Sequence, residues 1–201
     1  MRFVYVSALL AVALLLSVPV QAALPYYNSD LGYTIWLGAG WREASSSHLS
    51  RFHGFHDGVV AQGVGWKAGY TLDDSGACLL VSELHGRVVS KASIGNFNQY
   101  VVRELQRRTG DSAPADEKQV SLNKASFDKQ KNMLRLEMDA LSPSGERMTS
   151  VVYIIYTSGC MLKFVGLAEL GDIKSVQAID SAVSSLYLDY GLRQETMDTM
   201  P

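Results

Sequence analysis

The segment His48-Leu49-Ser50-Arg51-Phe52-His53-Gly54-Phe55-His56-Asp57 gathers three imidazoles and a carboxylate within ten residues. Neutral imidazole and carboxylate are ligands that zinc and copper accept, so His48, His53, His56 and Asp57 are the candidate metal ligands. Their spacing matches no established ligand motif, and Gly54 works against a rigid helical presentation. The same residues also read as a solvated loop in which Phe52 and Phe55 anchor to the core while the histidines face water. No cofactor is implied.

Glu83 and His85 stand two apart in Ala77–Gly86, a predicted strand, so their side chains leave from one face. A carboxylate orienting an imidazole can serve general acid–base chemistry. With Cys78, Leu80 and Leu84 expected to face the core, this pair is expected on the wetter side, where it also reads as an ordinary cross-strand pair. Other reactive groups find no setting. Gly-x-Ser-x-Gly is absent, no Ser-x-x-Lys has its usual companions, and the two cysteines are not arranged as Cys-x-x-Cys. Gly63, Gly65 and Gly69 lack the Gly-Lys-Ser/Thr ending of a phosphate loop and mark a bulged strand instead. No catalytic residue is assigned.

The elements that must position these residues follow from pattern and punctuation. Asn28, Ser29, Asp30 and Gly32 give a turn ahead of a short strand, Tyr33 to Leu37, which Gly38 and Gly40 break before Trp41. Residues 42 to 57 are polar. Val59 to Tyr70 is a Gly-interrupted strand, and Thr71 to Gly76 a turn. Ser93 reads as an N-cap for a helix over residues 94 to 109, because Ile94, Phe97, Val101 and Leu105 recur at helical spacing before Gly110. Arg103, Arg107 and Arg108 give that helix a basic outer face, suited to an acidic partner or simply to water. Strands are predicted for Gln119 to Phe127, Asn132 to Ser142, Arg147 to Thr157 and Cys160 to Glu169. The turns Pro143-Ser144-Gly145 and Ser158-Gly159 between them are too short for parallel crossovers, so the neighbours must be antiparallel. Gly171-Asp172 opens a last helix with Val176, Ile179, Val183 and Leu186 on one face and Gly191 at its end. An antiparallel meander with one inserted helix and one C-terminal helix packed on it defines an α+β domain.

Residues 1 to 22, MRFVYVSALLAVALLLSVPVQA, have the layout of a signal peptide: Arg2, an uncharged apolar run from Ala8 to Val18, then Pro19 and the small residues Val20 and Ala22 before a cut. The domain is therefore expected over 23–192, with a mobile tail at 193–201, in the periplasm or outside the cell. Cleavage would remove one of the 18 basic residues and leave 17 against 20 acidic ones, a formal charge of −3. No basic stripe invites nucleic acid. In an oxidising compartment Cys78 and Cys160 are a candidate disulfide, closing a loop of roughly 80 residues worth about 4–5 kcal/mol at most; two separate buried thiols are the alternative.

The opening Gly32-Tyr33-Thr34-Ile35-Trp36-Leu37 with Gly40-Trp41 resembles the entry motif of the PsbP/Mog1/DcrB-like superfamily, although Gly38 stands where that family usually has proline. The order of elements after it is also similar. The resemblance implies an α/β/α sandwich over most of the chain and a non-enzymatic, partner-binding or assembly role, with no shared catalytic residue. Trp36, Trp41 and Trp66 with Tyr26, Tyr27, Tyr33 and Tyr70 make the N-terminal third aromatic-rich, which suits either an interface or a core. The expectation is thus an exported module binding another envelope protein or a small ligand. Its contact surface would include Trp41, His53, Phe55 and His56, within the aromatic segment and the loop from Ser45 to Gly58. Two further readings stay open: a hydrolase with a site near Glu83, His85 and the histidine loop, and a periplasmic immunity or inhibitor protein.

Overall fold

Alternation of side chains builds two sheets in the computed structural model, which describes residues 23–53, 55, 65–84, 89–109, 120–142 and 144–189. Strands β1 (Leu24–Asn28) and β2 (Tyr33–Leu37) form a hairpin. Asn28 Oδ1 accepts from the backbone N–H of Leu31 at 2.9 Å, and Gly32 supplies the left-handed residue (φ 63°) that the turn needs. The chain continues through β3 (Trp41–Glu43), helix α1 (Ser46–Ser50), β4 (Ala68–Leu72), β5 (Cys78–Leu84) and helix α2 (Lys91–Thr109). A meander follows, β6 (Ser121–Asp128), β7 (Met133–Leu141), β8 (Arg147–Tyr156) and β9 (Met161–Glu169), then helix α3 (Ile173–Ser184) and β10 (Tyr187–Leu188).

The larger sheet has seven strands in the order β3-β4-β5-β9-β8-β7-β6, every neighbour antiparallel. The smaller has the order β1-β2-β10, also antiparallel. Both faces of the large sheet are buried, which is why β8 and β9 read as nearly continuous apolar runs. On one face Leu80, Leu136, Val152 and Val165 meet Ile94, Val101 and Leu105 of α2, with Phe52, Phe55 and Trp66 packed alongside. On the other, Val81, Tyr153 and Phe164 meet Ile179 and Val183 of α3 together with Tyr33, Ile35 and Leu37 of β2. The α+β class and the antiparallel meander therefore stand, and the small sheet is an added element of the layer that holds α3.

Several boundaries differ from expectation. Helix α2 begins at Lys91, and the Ser90 carbonyl accepts from the N–H groups of Ser93 (2.8 Å) and Ile94 (3.1 Å). Apolar periodicity marks the buried face of a helix and misses a first turn in which Lys91, Ala92 and Ser93 are all exposed. Strands β1 and β3 and helix α1 lie where only turn or polar chain was expected. β4 starts at Ala68 and runs through Leu72, into the expected turn; 59–64, earlier in that predicted strand, are outside the described residues. Residues 1–22, expected as a leader, Gly191 and residues 193–201 are outside them too. No helix among the described residues is long and apolar enough to cross a membrane.

Candidate functional site

In β2 the side chains alternate sharply. Tyr33, Ile35 and Leu37 are buried, while Thr34 is half-buried and Trp36 is 39% exposed on the opposite side. Register carries that outer face onto both neighbours. Tyr27 of β1 and Tyr187 of β10 both pair with Thr34, and Pro25 pairs with Trp36. Directly paired residues share a face, so Tyr27, Thr34 and Tyr187 form one row across three strands, with Pro25 and Trp36 in the next. Two strand spacings put Tyr27 and Tyr187 about 10 Å apart. Tyr27 is 63% exposed and Tyr187 50%. Isolated exposed apolar residues are ordinary; here three exposed aromatic side chains share one face of a small sheet.

The face is fixed by its surroundings. Ser185 Oγ accepts from the Trp36 N–H at 2.9 Å and also lies 3.0 Å from the Trp36 carbonyl, to which it can donate. One hydroxyl thus stands in for a strand partner where β10 does not reach. The Asp189 N–H donates to the Gly32 carbonyl at 2.9 Å, extending the β10 edge. The Tyr27 hydroxyl donates to Asp189 Oδ2 at 3.1 Å, and that carboxylate holds the phenol above its ordinary pKa. Beneath the face, the Tyr33 and Tyr70 hydroxyls meet at 3.0 Å, and burial raises both phenols. These groups position the face from below.

The residues singled out from sequence are dispersed. Trp41 is buried, only 8% exposed, at the start of β3 opposite Leu72, so it is a core residue. His53 is exposed in the turn after α1, and Phe55 is half-buried against the core under α2. His56, Asp57 and His85 lie outside the described residues. His48 is half-buried on α1 with its ring 5.5 Å from that of Phe52; its Nε2 is buried without a hydrogen-bond partner, and burial, helped by Arg51, lowers its pKa. No three His, Cys, Asp or Glu groups among the described residues come together to hold a metal. A shallow cleft of about 410 Å³ beside α1 is lined by Arg42, Glu43, His48 and Asp73 among others. Arg42 and Asp73 are ion-paired there, and the buried Nε2 is out of a ligand's reach.

Glu83 is half-buried on the face of β5 that also carries Leu79 and Val81, both fully buried, so that face is core and not the wet side expected. The candidate disulfide is also corrected: both cysteines are free thiols. Cys78 pairs with Leu167, whereas Cys160 adjoins Met161, which pairs with Leu84. Seven residues along β9 separate the two positions by about 23 Å, far beyond the roughly 7 Å Cα limit for a bridge. Burial pushes the Cys78 thiol up to about 12. Cys160 is also raised, chiefly by burial and further by Glu83, while Thr157 opposes. On α2, Arg107 and Arg108 both clasp Glu104, at 2.7 and 2.9 Å, which partly neutralises the expected basic face.

Sequence reasoning flagged the aromatic N-terminal third but missed Tyr187, which reaches the face from the far end of the chain. No protein-family model and no curated protein matches this chain. In fold it resembles the solution structure of cyanobacterial PsbP from Synechocystis sp. PCC 6803, at 16% identity and a TM-score of 0.48 over 86% of this chain and 95% of that one. It also resembles a mutant of the protein Mog1, at 11% identity and a TM-score of 0.49 over 84% and 97%. A third solved structure, a protein of unknown function from Pseudomonas aeruginosa, aligns at 11% identity and a TM-score of 0.42 over 87% and 99%. The likeness is one of fold and assigns no residue a role.

Proposed function

We propose that this chain is an exported, non-enzymatic binding module of the cell envelope, and that its contact surface is the outer face of the small sheet. The observation that carries this reading is the row Tyr27–Thr34–Tyr187 with Trp36 beside it, three aromatic side chains exposed on a rigid, flat support. Tyr and Trp are favoured at contact surfaces because each offers a large apolar area with a polar tip and little rotamer entropy to lose. Export is inferred from the leader at residues 1–22. The module's target is an envelope component, and the loop residues His53 and Phe55 lie outside its contact surface.

The test has two parts. Expressed with its leader and recovered from envelope and extracellular fractions, the chain should have a mass that starts at Ala23. Chemical cross-linking in intact cells should then yield a defined adduct that is lost in the Tyr27→Ser/Trp36→Ala/Tyr187→Ser variant. A cytoplasmic chain of full mass, or an adduct indifferent to those substitutions, would overturn the reading.

A further inference from the structure

Among the described residues, four buried side-chain nitrogen or oxygen atoms lack a hydrogen-bond partner: His48 Nε2, Ser82 Oγ, Asn98 Nδ2 and Ser150 Oγ. All four lie on one side of the large sheet. Ser82 alternates along β5 with Leu80, and Ser150 along β8 with Val152, and both apolar residues belong to the layer beneath α2. Asn98 is on the buried face of α2 itself. His48 is on α1 beside Leu49, which packs against the same layer together with Phe52. Lys163 adds a charge to that side. It pairs with Ser82 and so shares its face, and it is buried with its Nζ 5.6 Å from the centre of the Trp66 ring.

The side that holds α3 is built differently. Arg135 and Tyr153 both hold Asp180 of α3, and Ser175 Oγ donates to Asp172 at the start of that helix. The Tyr33 and Tyr70 hydroxyls meet at 3.0 Å, and Ile179 of α3 sits directly on Gly166 of β9. On α2 the buried positions among the described side chains are Ile94, Asn98, Val101 and Leu105, so an amide stands in the middle of its core face. Asn98 Oδ1 accepts from the Tyr156 hydroxyl, while Nδ2 is left without an acceptor. A buried polar group without a partner regains hydrogen bonds when water reaches it, and that gain offsets part of the cost of exposing apolar area. A buried ammonium gains hydration in the same way. Both effects act on the α2 side of the sheet.

We infer that α2 is a displaceable cover, which lifts from the large sheet ahead of the rest of the domain while α3 stays docked. Lifting hydrates Asn98 and the Tyr156 hydroxyl and bares the apolar face that carries Leu136 and Val152. Proteins open in units of unequal stability, and elements that move are drawn from the weaker ones. A helix of 19 residues detached from its sheet is marginal in water, so its amides exchange once it lifts.

The experiment is native-state hydrogen exchange of residues 23–201 read by mass spectrometry, without urea and at concentrations below the unfolding transition. Amides of α2 should exchange at least about tenfold faster than those of β8, β9 and α3. Their exchange should also depend more weakly on urea, because lifting one helix exposes less surface than global unfolding. The variant Asn98→Leu/Tyr156→Phe replaces both members of the half-satisfied pair by apolar groups, so it should slow exchange of α2 several-fold and leave α3 unchanged. Tyr156→Phe alone strips Asn98 of its partner and should speed exchange of α2. Exchange of α2 in step with β8, β9 and α3 at every urea concentration would overturn the inference, and the parent protein alone decides that point. Unchanged or faster exchange of α2 in the double variant, with α3 exchange like the parent's, would overturn it too, since the buried amide would then not drive the opening.

Discussion

Replacing Asp180 by alanine should loosen the joint between α3 and the large sheet. Arg135 of β7, its side chain only 15% exposed, holds Asp180 of α3 with two parallel bonds, Nε to Oδ1 at 2.7 Å and Nη2 to Oδ2 at 2.9 Å. Its third contact is Glu137 at 2.9 Å, and the Tyr153 hydroxyl also donates to Asp180. Removing the carboxylate leaves a largely buried guanidinium with one acidic partner and a buried phenol without its acceptor. Breaking a fully buried pair costs about 3–5 kcal/mol, and a buried unsatisfied hydroxyl about 1–3 kcal/mol. Asp180 is 36% exposed and Glu137 stays in place, so solvent screening brings the expected loss down to about 2–3 kcal/mol. For a chain of this size that is about 5–10 °C in Tm. The assay is thermal and urea unfolding of residues 23–201 followed by circular dichroism. Asp180→Asn, which keeps an acceptor for Tyr153, should fall between the parent and Asp180→Ala. Adding Arg135→Met to Asp180→Ala should cost less than Arg135→Met alone, by a coupling of about 1–2 kcal/mol. A shift within about 1 °C for Asp180→Ala would refute the reasoning, because the network would then hold nothing.

Three other expectations test the packing and the thiols. Gly166→Ala on β9 would drive its Cβ into Ile179 of α3, overlapping Cγ2 and lying 3.0 Å from Cδ1; it should destabilise by about 1–3 kcal/mol, with partial rescue by Ile179→Val in the same unfolding assay. His48 has a folded pKa below its unfolded value of about 6.5, so an unfolded chain takes up a proton that the folded one refuses. Stability from this residue is present above about pH 6.5 and falls as pH drops toward the folded pKa, and His48→Gln should flatten the profile between pH 7 and 5 relative to the parent. With Cys78 and Cys160 apart, non-reduced denatured protein should bind two thiol reagents per chain, and native protein should label faster at half-buried Cys160 than at buried Cys78; finding no free thiol would contradict the register.

The meander was legible because β6 to β9 alternate or run apolar between turns whose residues announce themselves, as at Ser158-Gly159. Strand β1 was not, since Pro25 argues against a strand and its pairing with β2 is tertiary. Helix α1 has five residues, none of them buried, and so leaves no periodic trace. The last helix was read as closing at Gly191, whereas it ends at Ser184, and Ser185 turns to the Trp36 backbone. Residue type alone could not separate Trp41, in the core, from Trp36, on the surface. That distinction depends on which side of a pleat each occupies. The two cysteines likewise suggested a pair only until strand register put them seven residues apart along β9.

The most direct test of the aromatic contact surface is site-specific photo-cross-linking in intact cells, with a photoreactive phenylalanine at position 187 and, separately, at the exposed position 124 on the β6 edge. The account predicts an abundant adduct from position 187, with lipid or with a single envelope component, and little or none from position 124. Equal labelling from both positions, or labelling from 124 alone, would contradict it.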